Sequence, residues 1–141
     1  MNVTCRALID TDLPALQPLL LQLGYQLDAD SLTGNIAAIR ARDGEVFVVT
    51  DGARLLGCVA AVMDIRLGEG VAGEIVSLVV DSSARDQGIG SLLLNTAETW
   101  LGSRTRNIRV RAKTSRTQAH RFYRQHGYTP VKEQLVLIKR L

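Results

Sequence analysis

No apolar run among the 141 residues reaches the roughly 18 that a membrane helix needs, and the longest, around Leu55 to Met63 and Ile75 to Val80, stop well short. A transmembrane helix is therefore excluded. The opening Met1-Asn2-Val3-Thr4-Cys5-Arg6 lacks a charged stretch followed by an apolar core and a small-residue cleavage site, so export by a signal peptide is not expected. Only two cysteines occur, Cys5 and Cys58, in apolar surroundings and without CxxC or ligand spacing. Two reduced core thiols in a cytoplasmic protein are expected, rather than a disulfide or a metal site. His120 and His126 stand six apart and do not share a helix face, which disfavours a metal pair. Repeats, low-complexity tracts and linkers are also lacking. With 46% apolar and 22% charged residues, the composition is that of a globular protein, and one domain over residues 1–141 is expected.

Acidic residues are nearly missing from one region. Residues 1–103 hold six basic and thirteen acidic side chains, a net of −7, whereas residues 104–141 hold eleven basic ones and a single acid, Glu133, a net of +10. Arg104, Arg106, Arg109, Arg111, Lys113, Arg116, Arg121 and Arg124 follow one another with no acid between them. That pattern suits a nucleic acid or a smaller anion, although Arg109 and Arg111 flank Val110 on an expected strand and the charges need not form one patch.

Periodicity places the elements. Val3 to Ile9 reads as a strand, and Asp10 or Thr11 offers an N-cap to a helix bearing Leu13, Leu16, Leu19, Leu20 and Leu23, which Pro18 should kink or split and Gly24 end. A weaker helix is expected over Ser31 to Arg42. Asp51-Gly52 separates two apolar runs as a hairpin turn does, and a Gly-rich loop from Leu67 to Gly73 leads into a strand from Glu74 to Val80. Ile89, Leu92, Leu93, Ala97, Trp100 and Leu101 make one helix face. A short strand over Ile108 to Arg111, a helix over Ser115 to His126 and a last strand over Gln134 to Lys139 complete an α+β, or mixed α/β, domain.

Chemistry concentrates where the strand ending Leu78-Val79-Val80-Asp81 runs into Arg85-Asp86-Gln87-Gly88-Ile89-Gly90-Ser91. Glycines at 88 and 90 let backbone N–H groups close around an anion at the positive end of a helix, and Arg85 can add a charge-assisted bond. The same glycines equally suit tight strand-to-helix packing. A Rossmann turn is excluded because Leu93 stands where the third glycine belongs, and a P-loop because no Gly-Lys-Ser or Gly-Lys-Thr is present.

Arg85-Asp86-Gln87-Gly88-Ile89-Gly90 resembles the Arg/Gln-x-x-Gly-x-Gly/Ala signature of the GNAT superfamily of acyl-CoA-dependent N-acyltransferases, and Ala119-His120-Arg121-Phe122-Tyr123-Arg124-Gln125-His126-Gly127-Tyr128 resembles its second block. The resemblance spans the chain. It implies a central, mostly antiparallel twisted sheet of about six to seven strands with about four helices, splayed between the fourth and fifth strands. It further implies acetyl-CoA as co-substrate, its pantetheine arm along Leu78, Val79 and Val80 and its pyrophosphate on Arg85, Asp86, Gln87, Gly88, Ile89, Gly90 and Ser91, often beside a β-bulge. Two departures stand out: Asp86 occupies a usual glycine position, and no Asn lies in Lys113-Thr114-Ser115-Arg116, where many members carry one.

Acyl transfer to an amine needs an acid for the departing thiolate and a base for the amine. Tyr123 matches the family's proton donor; as a residue alone it reads equally as helix-core packing. Glu74 is the base candidate, sharing alternation parity with Leu78 and Val80, with partial burial expected to raise its pKa; an ion pair at a strand end is the alternative. The string Gly73-Glu74-Ile75, with Arg116 and the second block, looks most like small-molecule branches, including aminoalkylphosphonate acetyltransferases. Direct acetyl transfer to a small primary amine is the leading expectation. A CoA-binding sensor without catalysis and a protein N-terminal or lysine acetyltransferase are the alternatives. Neither metal nor nucleic acid nor membrane is expected as a partner, and the apolar last strand permits a homodimer.

Overall fold

Alternation along Val46-Phe47-Val48-Val49 decides how the sheet is covered. In the computed structural model, which describes residues 2–141, β1 (Val3–Ala7), β2 (Glu45–Asp51), β3 (Arg54–Arg66), β4 (Gly70–Val80) and β5 (Ile108–Val110) form one sheet in that order. Pairing is antiparallel from β1 to β4, and β5 lies parallel to β4. Val46 and Val48 join Leu16, Leu19 and Leu20 of α1 (Leu13–Gln22) and Leu32 and Ile36 of α2 (Ala29–Ala41) in one apolar cluster. Phe47, on the opposite face, meets Trp100 of α3 (Ile89–Gly102) edge to face at 6.4 Å.

Local chemistry starts the helices. Asp28 caps α2 by accepting from Ser31 N at 2.7 Å, so that helix begins two residues before the expected Ser31. Ahead of α1, Asp12 accepts from Ile9 N at 2.9 Å and holds Arg6 in a two-pronged pair at 2.7 and 3.0 Å. That guanidinium draws the Asp12 carboxyl below the usual range, against the effect of burial. Pro18 does not split α1, which is continuous over Leu13–Gln22. The lost backbone bond is outweighed by the burial of Leu16, Leu19 and Leu20 on the same helix.

Several expectations change. β4 begins at Gly70, so the expected loop from Leu67 to Gly73 is mostly strand. Gly73 is glycine because of α3: a Cβ there would lie 2.8 Å from Leu101 Cδ2. In α3, Leu94 is fully buried while Trp100 is only half-buried, beneath the Arg104 guanidinium 3.6 Å from its ring.

The chain divides into two compact units, one ending at Val110 and the other running from Arg111 to Leu141. The second contains α4 (Thr117–Gln125), closed by the Gly127 and Tyr128 amides on the Arg124 and Tyr123 carbonyls at 3.1 and 3.0 Å. The strand expected over Gln134 to Lys139 is not formed, and the sheet has five strands rather than six or seven. Leu135, Val136 and Leu137 are each 87% exposed and Ile138 is 86% exposed. A strand exists only through a partner's ladder, and apolar composition alone cannot supply one.

Candidate active site

β5 pairs with β4 only at Gly73, Glu74 and Ile75, opposite Ile108, Arg109 and Val110. From Val76 to Val80, β4 pairs within the sheet with β3 alone, which is the expected splay between the fourth and fifth strands. A bulge lies at its start. Cys58 pairs with Val79 and Ala60 with Val76, so Val59 stands opposite two residues, Ser77 and Leu78, and Ser77 takes a left-handed φ of 54°. Val79 is buried in the α1/α2 cluster, so this residue offers an outside ligand only its main chain.

Past Asp81, two buried side chains, Ala84 and Ile89, bracket the exposed Arg85-Asp86-Gln87-Gly88. Asp86 has φ 60° and Gly88 φ 79°. Left-handed residues placed this closely are found in backbone concavities that bind anions. Asp86 therefore adopts the backbone conformation that a glycine would supply, one that Asp tolerates better than most residues. No side chain caps α3 at Gly88, and its first backbone bond is Leu92 N to Gly88 O at 3.1 Å. The N–H groups of Ile89, Gly90 and Ser91 precede that bond and form the positive end of the helix. Arg85 folds back, its Nε donating to the Val80 carbonyl at 3.4 Å. A bare strand edge leading to an anion cradle fits an extended, phosphate-bearing acyl carrier.

Glu74 lies in the doubly paired part of β4, and the bulge overturns its expected parity. Val76 and Val79 both pack on the α1/α2 side, so Glu74 shares their face and not that of Leu78 and Val80. It is buried, and it accepts from Arg109 Nε at 3.0 Å. Arg109 also donates to Glu69 at 2.6 Å and pairs with Asp64, which in turn accepts from Arg66 at 2.7 Å. Burial works against the charge on Arg109, but the Glu74 hydrogen bond and the three carboxylates outweigh it and raise its pKa. Nothing in the sequence pattern pointed to Arg109 here, 35 residues from Glu74. Together with Arg104, which binds Asp43 at 3.0 Å, it is neutralised within the first unit, thinning the supposed nucleic-acid stripe.

In the second unit, Tyr123 stacks edge to face with Phe122 at 5.2 Å and Tyr128 at 5.6 Å. Burial pushes its phenol above the ordinary range, with the Arg116 charge opposing. His120 Nε2 meets the Lys113 carbonyl and His126 Nδ1 that of Phe122, each at 2.8 Å. Both cysteines are free, and burial pushes the Cys58 thiol up to about 12, so it is no nucleophile. Among the described residues no group of acids, cysteines and histidines has the arrangement of a metal site, and no helix is long and apolar enough to cross a membrane.

Residues 42–130 match the acetyltransferase (GNAT) domain family. No curated protein matches the chain. Among solved structures, the fold is similar to that of AAC(6')-Iy in complex with a bisubstrate analogue, CoA-S-monomethyl-acetylneamine (TM-score 0.84, 17% identity, 100% of each chain). It is likewise similar to glucosamine-6-phosphate N-acetyltransferase from Arabidopsis thaliana (0.82, 17%, 98% of this chain and 99% of that one). A transcriptional regulator from Bacillus halodurans C-125 gives 0.82 at 23% identity, over 98% of this chain and 100% of that one.

Proposed function

Because this chain belongs to the GNAT acetyltransferase family, we propose that it acetylates the primary amine of a small molecule directly from acetyl-CoA. It is an acyltransferase with acetyl-CoA as co-substrate. The observation that carries the reading is the one-sided β4 edge from Val76 to Val80, which leads to the α3 N-terminus at the left-handed Gly88. Leu78, Val79 and Val80 hold the pantetheine arm through main-chain groups. Arg85, Asp86, Gln87, Gly88, Ile89, Gly90 and Ser91 surround the pyrophosphate with N–H groups and one guanidinium.

Acetyl-CoA supplies the activated acyl group. Glu74 accepts the amine's proton, directly or through one water, with Arg109 fixing the carboxylate's orientation. The neutral nitrogen forms the C–N bond, the C–S bond breaks, and Tyr123 gives its proton to the departing sulfur. A phenol held protonated by burial suits that last step. Residues 1–141 act as a single acetyltransferase domain in the cytoplasm, where the free thiols stay reduced. A second copy covers the exposed Leu135–Ile138 segment, since burying four such side chains yields roughly 1.5–3 kcal/mol each; sedimentation as a monomer would refute this.

Two proteins of similar fold, one bound to a CoA-acetylneamine bisubstrate analogue and one named a glucosamine-6-phosphate N-acetyltransferase, and the aminoalkylphosphonate resemblance, support a small-molecule acceptor. The test is thiol release from acetyl-CoA across aminophosphonates, aminoglycosides, amino sugars, polyamines and peptide N-termini. Release with a small amine supports the reading. Release only with peptides assigns a protein acetyltransferase, and calorimetric binding of acetyl-CoA with no release assigns a sensor.

A further inference from the structure

Upstream of the anion cradle, Asp81 is a hub. Its N–H donates to the Leu56 carbonyl at 2.7 Å, and its carboxylate accepts from Ser83 N at 3.1 Å, closing the short 3-10 turn Ser82–Ala84 that leads into Arg85. Ser83 Oγ also bonds that carboxylate, and Arg54 lies 3.6 Å from it while also bonding Ser83 Oγ. One contact arrives from a distant element. Gln22, the last residue of α1, donates from Nε2 to Asp81 Oδ1 at 2.8 Å and accepts from Ser82 N at Oε1 at 3.1 Å.

Both ends of one carboxamide are used, and only a side chain with a donor and an acceptor side by side can do this. Glutamate would meet Asp81 with like charge and no donor; alanine would reach neither group. α1 is a firm post, because Leu16, Leu19 and Leu20 anchor it in the core while Gln22 itself is exposed. The clamped pair ends three residues before Arg85.

We propose that Gln22 is a positioning residue for acetyl-CoA: its clamp on Asp81 and Ser82 sets the cradle from α1, so that α1 and the pyrophosphate turn move as one body. The inference rests on the reading that Arg85 to Ser91 hold the pyrophosphate. A preset turn spares the ligand the cost of ordering it, so loss of the clamp appears in affinity and not in the chemical step.

Calorimetry with acetyl-CoA on the full chain tests this, alongside turnover at saturating acetyl-CoA and thermal melting. Losing two hydrogen bonds to the turn should weaken binding roughly three- to tenfold in Gln22→Ala, and more in Gln22→Glu, with turnover within about twofold. Gln17→Ala is the control, since Gln17, on the same helix as Gln22, donates from Nε2 to the Leu27 carbonyl at 2.9 Å and leaves the turn alone; its affinity should equal the parent's. Equal affinity in Gln22→Glu and the parent, or equal weakening by Gln17→Ala, overturns the proposal. Gly88→Ala separates the two failures: weakened binding there with none in Gln22→Glu sinks the clamp alone, and no weakening in either sinks the pyrophosphate reading as well.

Discussion

β4 is two different strands in one. From Gly70 to Ile75 its last three residues pair on both sides, with Gly73 pressed against Leu101 and Glu74 locked to Arg109. From Val76 to Val80 it pairs on one side, after a bulge that spends an extra residue opposite Val59. The closed half is buried from Ala72 to Ile75; the open half is only partly covered, with Val79 buried and Ser77 exposed, and offers a backbone edge that β5 does not pair. A strand edge is ordinarily an aggregation hazard, and here it is short and follows a bulge, so a ligand can take the place of a neighbouring strand.

The strongest way to test that division is at the reacting groups. Glu74→Gln should lower turnover by roughly 10²–10⁴-fold and displace the pH-rate profile, and Tyr123→Phe should produce a comparable fall with acetyl-CoA affinity within about twofold. Unchanged steady-state rates would remove either residue from the chemistry. A smaller effect is expected in the closed half, where Gly73→Ala drives a Cβ to 2.8 Å from a leucine in the core. It should cost roughly 1–3 kcal/mol of stability, read as a lower urea midpoint with unchanged affinity for acetyl-CoA.

In the turn beyond the open half, affinity is expected to change as well as stability. Gly88 has open space around it but φ +79°, so Gly88→Ala meets about 1–2 kcal/mol of left-handed strain. Acetyl-CoA binding should weaken several-fold, and the strain should also lower the melting temperature by a few degrees. The smallest effect concerns acid. Hydrogen bonds from Ser83 Oγ, the Gln22 amide and Ser83 N, with the Arg54 charge, draw the Asp81 carboxyl below the usual range against a minor effect of burial. A depressed carboxylate stabilises the fold fully above its unfolded pKa of about 3.9, and that stabilisation is lost as pH falls through the lower folded value. Urea midpoints between neutral pH and pH 3 should therefore fall less steeply in Asp81→Asn than in the parent.

The turn from Arg85 to Ser91 was legible because its own markers are local: two glycines, a helix start and an arginine within seven residues. The hairpin at Asp51-Gly52 and most of the α3 stripe were legible for the same reason. Glu74 was singled out as the base candidate, but its face was misassigned. The bulge that reverses its parity comes from the register against Cys58 and Ala60, and no pattern within β4 marks it. Arg109 looked like one more basic residue until the parallel pairing of β5 set it beside Glu74.

Amino-acid order alone thus determined most local elements and the glycine turn that opens α3, since these follow from spacing, turn residues and helix periodicity, while its two motif blocks carried the resemblance to the family. Tertiary structure decided which edge of β4 stays open, which carboxylate meets which guanidinium, and that Gln22 reaches Asp81 across 59 positions. It also left Leu135 to Ile138 without a ladder. These are pairings between distant segments, and a hydrogen bond or an ion pair has no meaning until both partners are in place.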